Sequence, residues 1–197
     1  MKRPSKVLYL VAILAEIVIR APYNRQRKQQ EMRDQRVSGL ERGLLGLLFG
    51  TFLISMVYVF SSRLDRADYR WPEQTKQRVG GLGAVLMGIA IWIFWRAHRD
   101  LGQNWSPTLE IAERQTLVTR GIYQYIRHPM YASQWVWSVG QMLLLQNWIA
   151  GPLGLLGFVP MYFLRVPREE QMMLEHFGDE YRDYMAQTGR IFPRLRR

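Results

Sequence analysis

The sequence predicts an all-α polytopic membrane protein with about five transmembrane helices. The fourth and fifth form a hairpin, and a cytosolic helix follows at the C-terminal end. Three observations carry this: uncharged runs of membrane length, clustering of charge between them, and turn residues dividing the longest run. The average is misleading, because mean hydropathy is slightly negative. The 197 residues allow one domain. No Asp, Glu, Lys or Arg falls between Arg127 and Arg165, and residues 43–60 and 79–95 are likewise uncharged. A helix needs roughly 20 apolar residues to cross the hydrocarbon core.

Taken in order, the first span is expected at residues 7–19, with Glu16 and Arg20 four apart and able to pair near the interface. A charged start precedes it, but there is no small-residue cleavage site, so it reads as a retained helix rather than a signal. A basic loop with Arg25, Arg27, Lys28, Arg33 and Arg36 follows. The second span, 43–60, carries Gly43, Gly46 and Gly50 at spacing that permits close helix approach. Residues 61–78 are a polar linker with Trp71-Pro72 at a turn. The third span, 79–95, ends in Trp92 and Trp95, which suit a headgroup belt.

Residues 96–128 read as a polar connecting segment. Residues 129–164 are too long for one helix, and Gln146-Asn147 and Gly151-Pro152 split them into two arms, with Pro160 kinking the second. A helical tail runs from Arg165 through Met185, then Gly189, Pro193 and a basic terminus. The domain is therefore single: residues 1–95 supply three spans, and residues 96–197 supply the polar segment, hairpin and tail.

Charge sets the orientation. With five spans, 19 of the 27 Lys and Arg fall on the side holding the 20–42 loop, the 96–127 segment and the tail. That side is expected to be cytosolic. A net charge of +11 points to an anionic membrane surface rather than nucleic acid, because the apolar residues form spans instead of a soluble core. Cysteine is absent, which excludes disulfides, thiolate metal sites and a cysteine nucleophile. No metal is expected.

Two places carry chemistry. In Arg127-His128-Pro129-Met130-Tyr131, proline at the first helical position puts His128 at the cap of the fourth helix. Free N–H groups there favour an anion. The alternative is a histidine that merely satisfies backbone at an interface, and spacing does not separate the two. Arg165 ends the uncharged hairpin, and Glu169-Glu170 begins one turn later. Such a group is commonly a solvated ion pair, yet a carboxylate there can also bond a ribose or an amine.

Those residues also carry a resemblance. The run from Leu117 to Tyr123, the Arg-His-Pro-Met-Tyr motif, and Glu169-Glu170 followed by Phe177-Gly178-Asp179-Glu180-Tyr181 resemble the isoprenylcysteine carboxyl methyltransferase family, from Leu101 to Pro193. The resemblance implies an enzyme that moves a methyl group from S-adenosylmethionine to a lipophilic acceptor, most directly a prenylcysteine carboxylate. It implies cofactor contacts at Glu110, Gln115, Thr116, Leu117, Val118, Tyr123, His128, Pro129, Met130, Tyr131 and Glu169. It gives Arg165 to the acceptor, with Arg165 and Glu169 as the catalytic pair. At Gln115 the family often has His, so a proton role there is not supported.

Several alternatives stay open. Within the class they are a phospholipid amine or a small thiol as acceptor, in which case Glu169 or His128 would serve as base. Outside it they are a transporter, an assembly factor or a membrane reductase. Only Glu16 is ionisable within a predicted span, which argues against a transporter. No Gly-x-Gly-x-x-Gly fingerprint supports a nicotinamide site.

Overall fold

The computed structural model describes residues 2–194. Six helices dominate: α1 (Lys2–Arg27), α2 (Gly39–Phe60), α3 (Glu73–Leu101), α4 (Pro129–Leu145), α5 (Leu153–Phe177) and α6 (Asp179–Gln187). Two of them, α2 and α3 with its closing turn, are long and apolar enough to cross a membrane. Only 28% and 22% of their apolar windows are buried. The core helix of a soluble domain would be mostly buried, so this outward apolar surface fits lipid.

The helices outrun their predicted apolar cores. α1 extends to Arg27 across Pro22, and α3 begins at Glu73 and reaches Leu101. Hydropathy marks only the apolar part of a helix; polar turns continue it wherever the backbone is unbroken. Ser38 caps α2, its hydroxyl accepting the Glu41 amide at 3.3 Å.

The tightest packing joins α3 and α4. Gly83 lies against α4 so closely that an added Cβ would stand 2.5 Å from the Leu144 nitrogen. Gly140 faces Met87 in the same way, at 3.1 Å from its nitrogen. Around this seam Tyr9, Tyr58, Ala90, Trp137 and Leu145 make the main apolar core. A second cluster, Leu44, Phe158 and Met161 with Tyr131, Trp135 and Tyr162, joins α2 to α4 and α5.

Residues 146–152 turn between α4 and α5, as the Gln146-Asn147 pair predicts. Gln146 takes a left-handed conformation (φ 50°). Buried Asn147 donates to Leu64 O and Asp68 Oδ1 at 2.8 Å each, and its own Oδ1 accepts from Ile149 and Ala150.

Three expectations need correction. The all-α class omits a small antiparallel ladder between β1 (Met32–Gln35) and β2 (Glu110–Ala112), with Met32 opposite Ala112 and Gln35 opposite Glu110. Neither strand has a period-2 pattern long enough to announce itself, since their pairing partners lie 78 or so residues apart and only the helical frame brings them together. The tail is not one helix from Arg165 to Met185: α5 continues unbroken through Pro160 and Pro167 to Phe177, and Gly178 (φ 56°) separates it from α6. A positive φ suits glycine there. The polar 96–128 segment also holds the last turn of α3 and the buried strand β2. The end of the basic terminus, beyond Arg194, lies outside the described residues.

Candidate active site

The entry to α4 is built as its sequence requires. His128 is the N-cap (φ −124°, ψ 60°) and Pro129 opens the helix, but no side chain caps it. The amides of Met130 and Tyr131 are thus left to the anion-favouring end of the helix. The segment before it is pinned from three sides. Gly121 (φ 63°) presses against the Asp100 carboxylate, whose Oδ2 accepts from Ile122 N and Arg96 Nε at 2.8 Å each. Tyr184 of α6 donates to Tyr123 O at 2.6 Å. The tail residues Gly189 and Arg190 run alongside, their carbonyls accepting from Arg127 N (2.8 Å) and His128 N (2.9 Å).

A buried ionic hub lies beneath this entry. Glu170 is 3% exposed. Its Oε1 accepts from Arg127 Nε and Nη2 at 3.1 Å each and lies 3.2 Å from His128 Nε2. Its Oε2 accepts from Arg190 Nε at 2.9 Å. Burial alone would raise its pKa. The hydrogen bonds from His128 and Arg190, with the nearby charges of His128 and Arg127, outweigh that and hold it at about 2. Arg127 also donates to the carbonyls of Met185 and Thr188. The hub therefore ties α4, α5, α6 and the tail together.

Glu169 points elsewhere. Its Oε2 accepts the Tyr131 hydroxyl at 2.7 Å, and its Oε1 lies 3.8 Å from His128 Nδ1. The imidazole thus stands between the two adjacent carboxylates. Glu170 is fully engaged, whereas Glu169 is half-buried with one neutral donor, which leaves it accessible to a ligand.

Arg165, one turn before Glu169, is mostly buried. Its Nη2 donates to Pro107 O at 2.9 Å and lies 3.6 Å from Glu41 Oε1. Among the described residues its Nε has no acceptor, and Glu41 Oε2 has no donor. Buried polar atoms usually have partners, so this pair stands out beside the site as incompletely satisfied. Glu41 also accepts Leu109 N at 3.0 Å, which anchors the 106–112 loop over the site.

The remaining expected contacts are held within their own loop. Gln115 accepts from Ala112 N at 3.0 Å, and Thr116 N donates to Asn104 at 2.8 Å; Leu117 and Val118 are half-buried. Glu110 in β2 is paired with Arg27 (Nε at 2.9 Å) and accepts Ser106 Oγ at 2.9 Å. Burial opposes ionisation at Glu110, but the hydrogen bonds from Arg27, Ser106 and Thr108 prevail and lower its pKa. The structure thus brings His128, Tyr131 and Glu169 into direct contact, sets Arg165 beside them, and uses Glu110 to bind α1 to the loop.

Reading the sequence missed Glu41, Arg127, Glu170 and Arg190 as a group. Glu170 was visible only as the neighbour of Glu169. Glu41 has a local explanation that hides its role: Ser38-x-x-Glu41 is a capping-box pattern. Only the hydroxyl half of the box forms, and the carboxylate reaches to Leu109 instead.

Comparisons with known proteins now bear on the site. Residues 82–175 match the model of the "Isoprenylcysteine carboxyl methyltransferase (ICMT) family". The resemblance drawn from the Arg-His-Pro-Met-Tyr and Glu-Glu motifs holds over that stretch. The match starts earlier than expected, within α3, and ends before Phe177-Gly178-Asp179-Glu180-Tyr181. Protein-S-isoprenylcysteine O-methyltransferase of Dictyostelium discoideum is 31% identical over 122 residues, 59% of this chain and 50% of that protein. The enzyme of the same name from Mus musculus is 37% identical over 121 residues, 58% of this chain and 41% of that protein. That from Tribolium castaneum is 36% identical over 114 residues, 57% and 38%. The chain spans half or less of the length of these relatives. A solved structure of the eukaryotic intramembrane Ras methyltransferase ICMT aligns at a TM-score of 0.45 and 29% identity, covering 80% of this chain and 53% of that one.

Proposed function

We propose, with residues 82–175 as an isoprenylcysteine carboxyl methyltransferase region, that the chain is an integral membrane enzyme. It transfers a methyl group from S-adenosylmethionine to the carboxylate of a prenylcysteine-like acceptor. The observation that carries this is the family match falling on the residues that the fold assembles: His128, Tyr131, Arg165 and Glu169.

The residues present fit the cofactor. It has a carboxylate, an ammonium and a ribose; α4 presents an uncapped N-terminus, and Glu169 presents a carboxylate with one oxygen free of short hydrogen bonds. When bound, S-adenosylmethionine supplies an electrophilic methyl on a sulfonium. Met130 and Tyr131 amides hold its anionic end. Glu169 accepts from its ribose or ammonium. Tyr123, Pro129, Gln115, Thr116, Leu117, Val118 and Glu110 shape the wall. His128 is held by Glu170 and orients Glu169. Arg165 receives the acceptor carboxylate, its unsatisfied Nε being the available donor. A carboxylate is already ionised at neutral pH, so alignment rather than proton abstraction is the task. Alignment can supply up to roughly 7–11 kcal/mol.

The finer topology belongs to the same proposal: five spans in one domain, α4 and α5 as a membrane hairpin, and the site on the cytosolic side. The acceptor and membrane lipids meet it there; no metal or nucleic acid takes part. The orientation is tested by single cysteines at Ser5 and Gln187. Gln187 is exposed, whereas its neighbour Thr188 is buried under Arg127 and would not report. The two sites should label from opposite faces of a sealed vesicle, and labelling from one face would refute an odd span count.

The activity is tested with purified protein, radiolabelled S-adenosylmethionine and an S-farnesyl N-acetylcysteine acceptor. Base-labile methyl incorporation is expected, as for an ester. Incorporation that resists base would place the methyl on nitrogen or sulfur and overturn the carboxylate assignment.

A further inference from the structure

One face of α3 changes character along its length. Leu82, Val85, Ile89 and Trp92 are exposed and recur every three or four residues, so they share that face. Arg96 and Arg99 continue the same spacing. Leu82 and Trp92 are ten residues apart, ~15 Å at the rise of an α-helix. That is half of a hydrocarbon core roughly 30 Å thick. The face is therefore apolar for the depth of one leaflet and then basic. At the change it meets α4, the 121–126 segment and the tail in a groove of about 850 Å³. Trp92, Tyr125, Trp135, Val136, Ile191 and Phe192 are among its walls. Among the described residues its lining holds one charged side chain, Arg96, and no carboxylate.

The rim of the groove is cationic. Arg96 is paired with Asp100, but Arg99 and Arg120, both exposed, have no carboxylate partner among the described residues. Arg99 sets its guanidinium over the Trp95 ring, 5.3 Å from the centroid. Arg120 directly precedes Gly121, which is part of the lining. An occupant must suit an apolar trough one leaflet deep and a basic rim above it. An anionic phospholipid has those two parts in that order. A second copy of the chain, meeting this face by two-fold symmetry, would instead set the same arginines against each other. The groove is also built on the segments that shape the α4 entry. Ile126 of its lining bridges to Gly189, and Ile191 and Phe192 follow Arg190, whose carbonyl accepts from His128 N at 2.9 Å.

We propose that this groove binds an anionic phospholipid, with an acyl chain along the α3 face and the phosphate held by Arg99 and Arg120, and that the bound lipid clamps the 121–128 and 189–193 segments at the mouth of the candidate site. The planar fork of arginine meets a phosphate through paired, charge-assisted hydrogen bonds. Trp135 supports a lipid over a bare hydrocarbon. Its indole Nε1 is buried with no acceptor among the described residues, whereas buried indoles usually have one. An ester carbonyl of the lipid supplies that acceptor. The clamp follows from position: a chain packed on Ile191 and Phe192 holds the strand whose carbonyls fix Arg127 N and His128 N. Neither the methyl donor nor the acceptor enters this assignment, so it stands apart from the methyltransferase proposal.

The test uses the full chain in phosphatidylcholine bilayers and a phosphatidylglycerol probe carrying a diazirine on its acyl chain. Cross-links should concentrate at Trp92, Tyr125 or Phe192, and unlabelled phosphatidylglycerol should displace the probe far better than phosphatidylcholine does. Equal displacement by the two lipids, or labelling spread evenly to the exposed Phe49 and Leu53 of α2, would mean an ordinary lipid annulus and overturn the proposal. Displacement by S-farnesyl N-acetylcysteine but not by phosphatidylglycerol would give the groove to the acceptor and overturn it equally. Arg99→Gln combined with Arg120→Gln, both at exposed positions, should weaken phosphatidylglycerol binding about thirtyfold, which corresponds to ~1 kcal/mol for each basic residue at an anionic surface. Unchanged affinity in that variant overturns the headgroup assignment. The clamp is read by hydrogen exchange. The amides of Arg127 and His128 should exchange several-fold more slowly when phosphatidylglycerol is added to the wild type, and not in the double variant. Exchange indifferent to the lipid in both proteins overturns the clamp.

Discussion

The two halves of the molecule are held together by opposite means. Around the candidate site, α4, α5, α6 and the tail converge on a single buried carboxylate, Glu170, surrounded by Arg127, His128 and Arg190. In the apolar half, α3 and α4 meet through glycines, with Gly83 and Gly140 letting backbones touch neighbouring side chains and main chain. Water and lipid explain the difference. Lipid is as apolar as the helices it surrounds, so association there depends on close packing. At the rim, burying a charge is costly unless it is paired, so an ionic hub that is satisfied fixes geometry strongly and tolerates little. The candidate site sits on the ionic half.

The sharpest way to break that contrast is Glu170→Ala. Removing one member of a buried ionic cluster costs about 3–5 kcal/mol, so the melting temperature should fall sharply, whereas removal of an exposed carboxylate such as Glu180 should not matter. The same hub predicts acid sensitivity. Its folded pKa, about 2, is depressed below the usual carboxylate value of roughly 4.3. Its contribution is therefore present above about pH 4.3 and is lost as pH falls toward 2. Wild-type melting temperature should drop over that interval, and a Glu170→Gln protein that still folds should lose part of the slope. A melting profile indifferent to pH in both would show that the cluster is not a keystone.

Arg165→Lys comes next. If the guanidinium receives the acceptor, lysine should keep S-adenosylmethionine affinity yet lower turnover on the order of 10²-fold, as a small misplacement can. Near-normal turnover would make Arg165 an anchor for Pro107 and Glu41 alone. Loss of donor binding would move it into the cofactor pocket.

Glu169→Gln should leave the fold intact, because its neighbour carries the hub, and should weaken S-adenosylmethionine binding by roughly 1.5–3 kcal/mol, the worth of a charged hydrogen bond. Calorimetric titration that finds equal affinity in this variant would remove Glu169 from the cofactor site. A Glu170→Gln protein that folds should bind the cofactor better than Glu169→Gln does.

The smallest effect belongs to the packed half. Gly83→Ala forces a methyl against the Leu144 backbone, a close-packing violation of about 1–3 kcal/mol. It should lower the melting temperature without changing the ratio of turnover to cofactor affinity. A selective loss of turnover would mean that the α3–α4 seam transmits to the site.

The sequence by itself determined the helices and the family region. Long uncharged runs and their turn residues are local signals, and hydropathy needs no tertiary knowledge to see them. Thus the predicted apolar runs 43–60 and 79–95 fall inside the longer helices α2 and α3, and the Arg-His-Pro-Met-Tyr motif opens α4 with proline at its first position. What the local pattern could not reveal was which charges meet. Glu169 and Glu170 are adjacent in sequence, yet a helix turns about 100° per residue. One is thereby sent toward Tyr131 and the other into the arginine hub. Arg127 and Arg190 are 63 positions apart, and Glu41 precedes its partner Arg165 by 124, so no sequence window holds either set. The β1–β2 ladder escaped for the same reason. Pairings between distant charges and short strands are decided by how helices pack, because only packing removes the water that would otherwise satisfy each group alone.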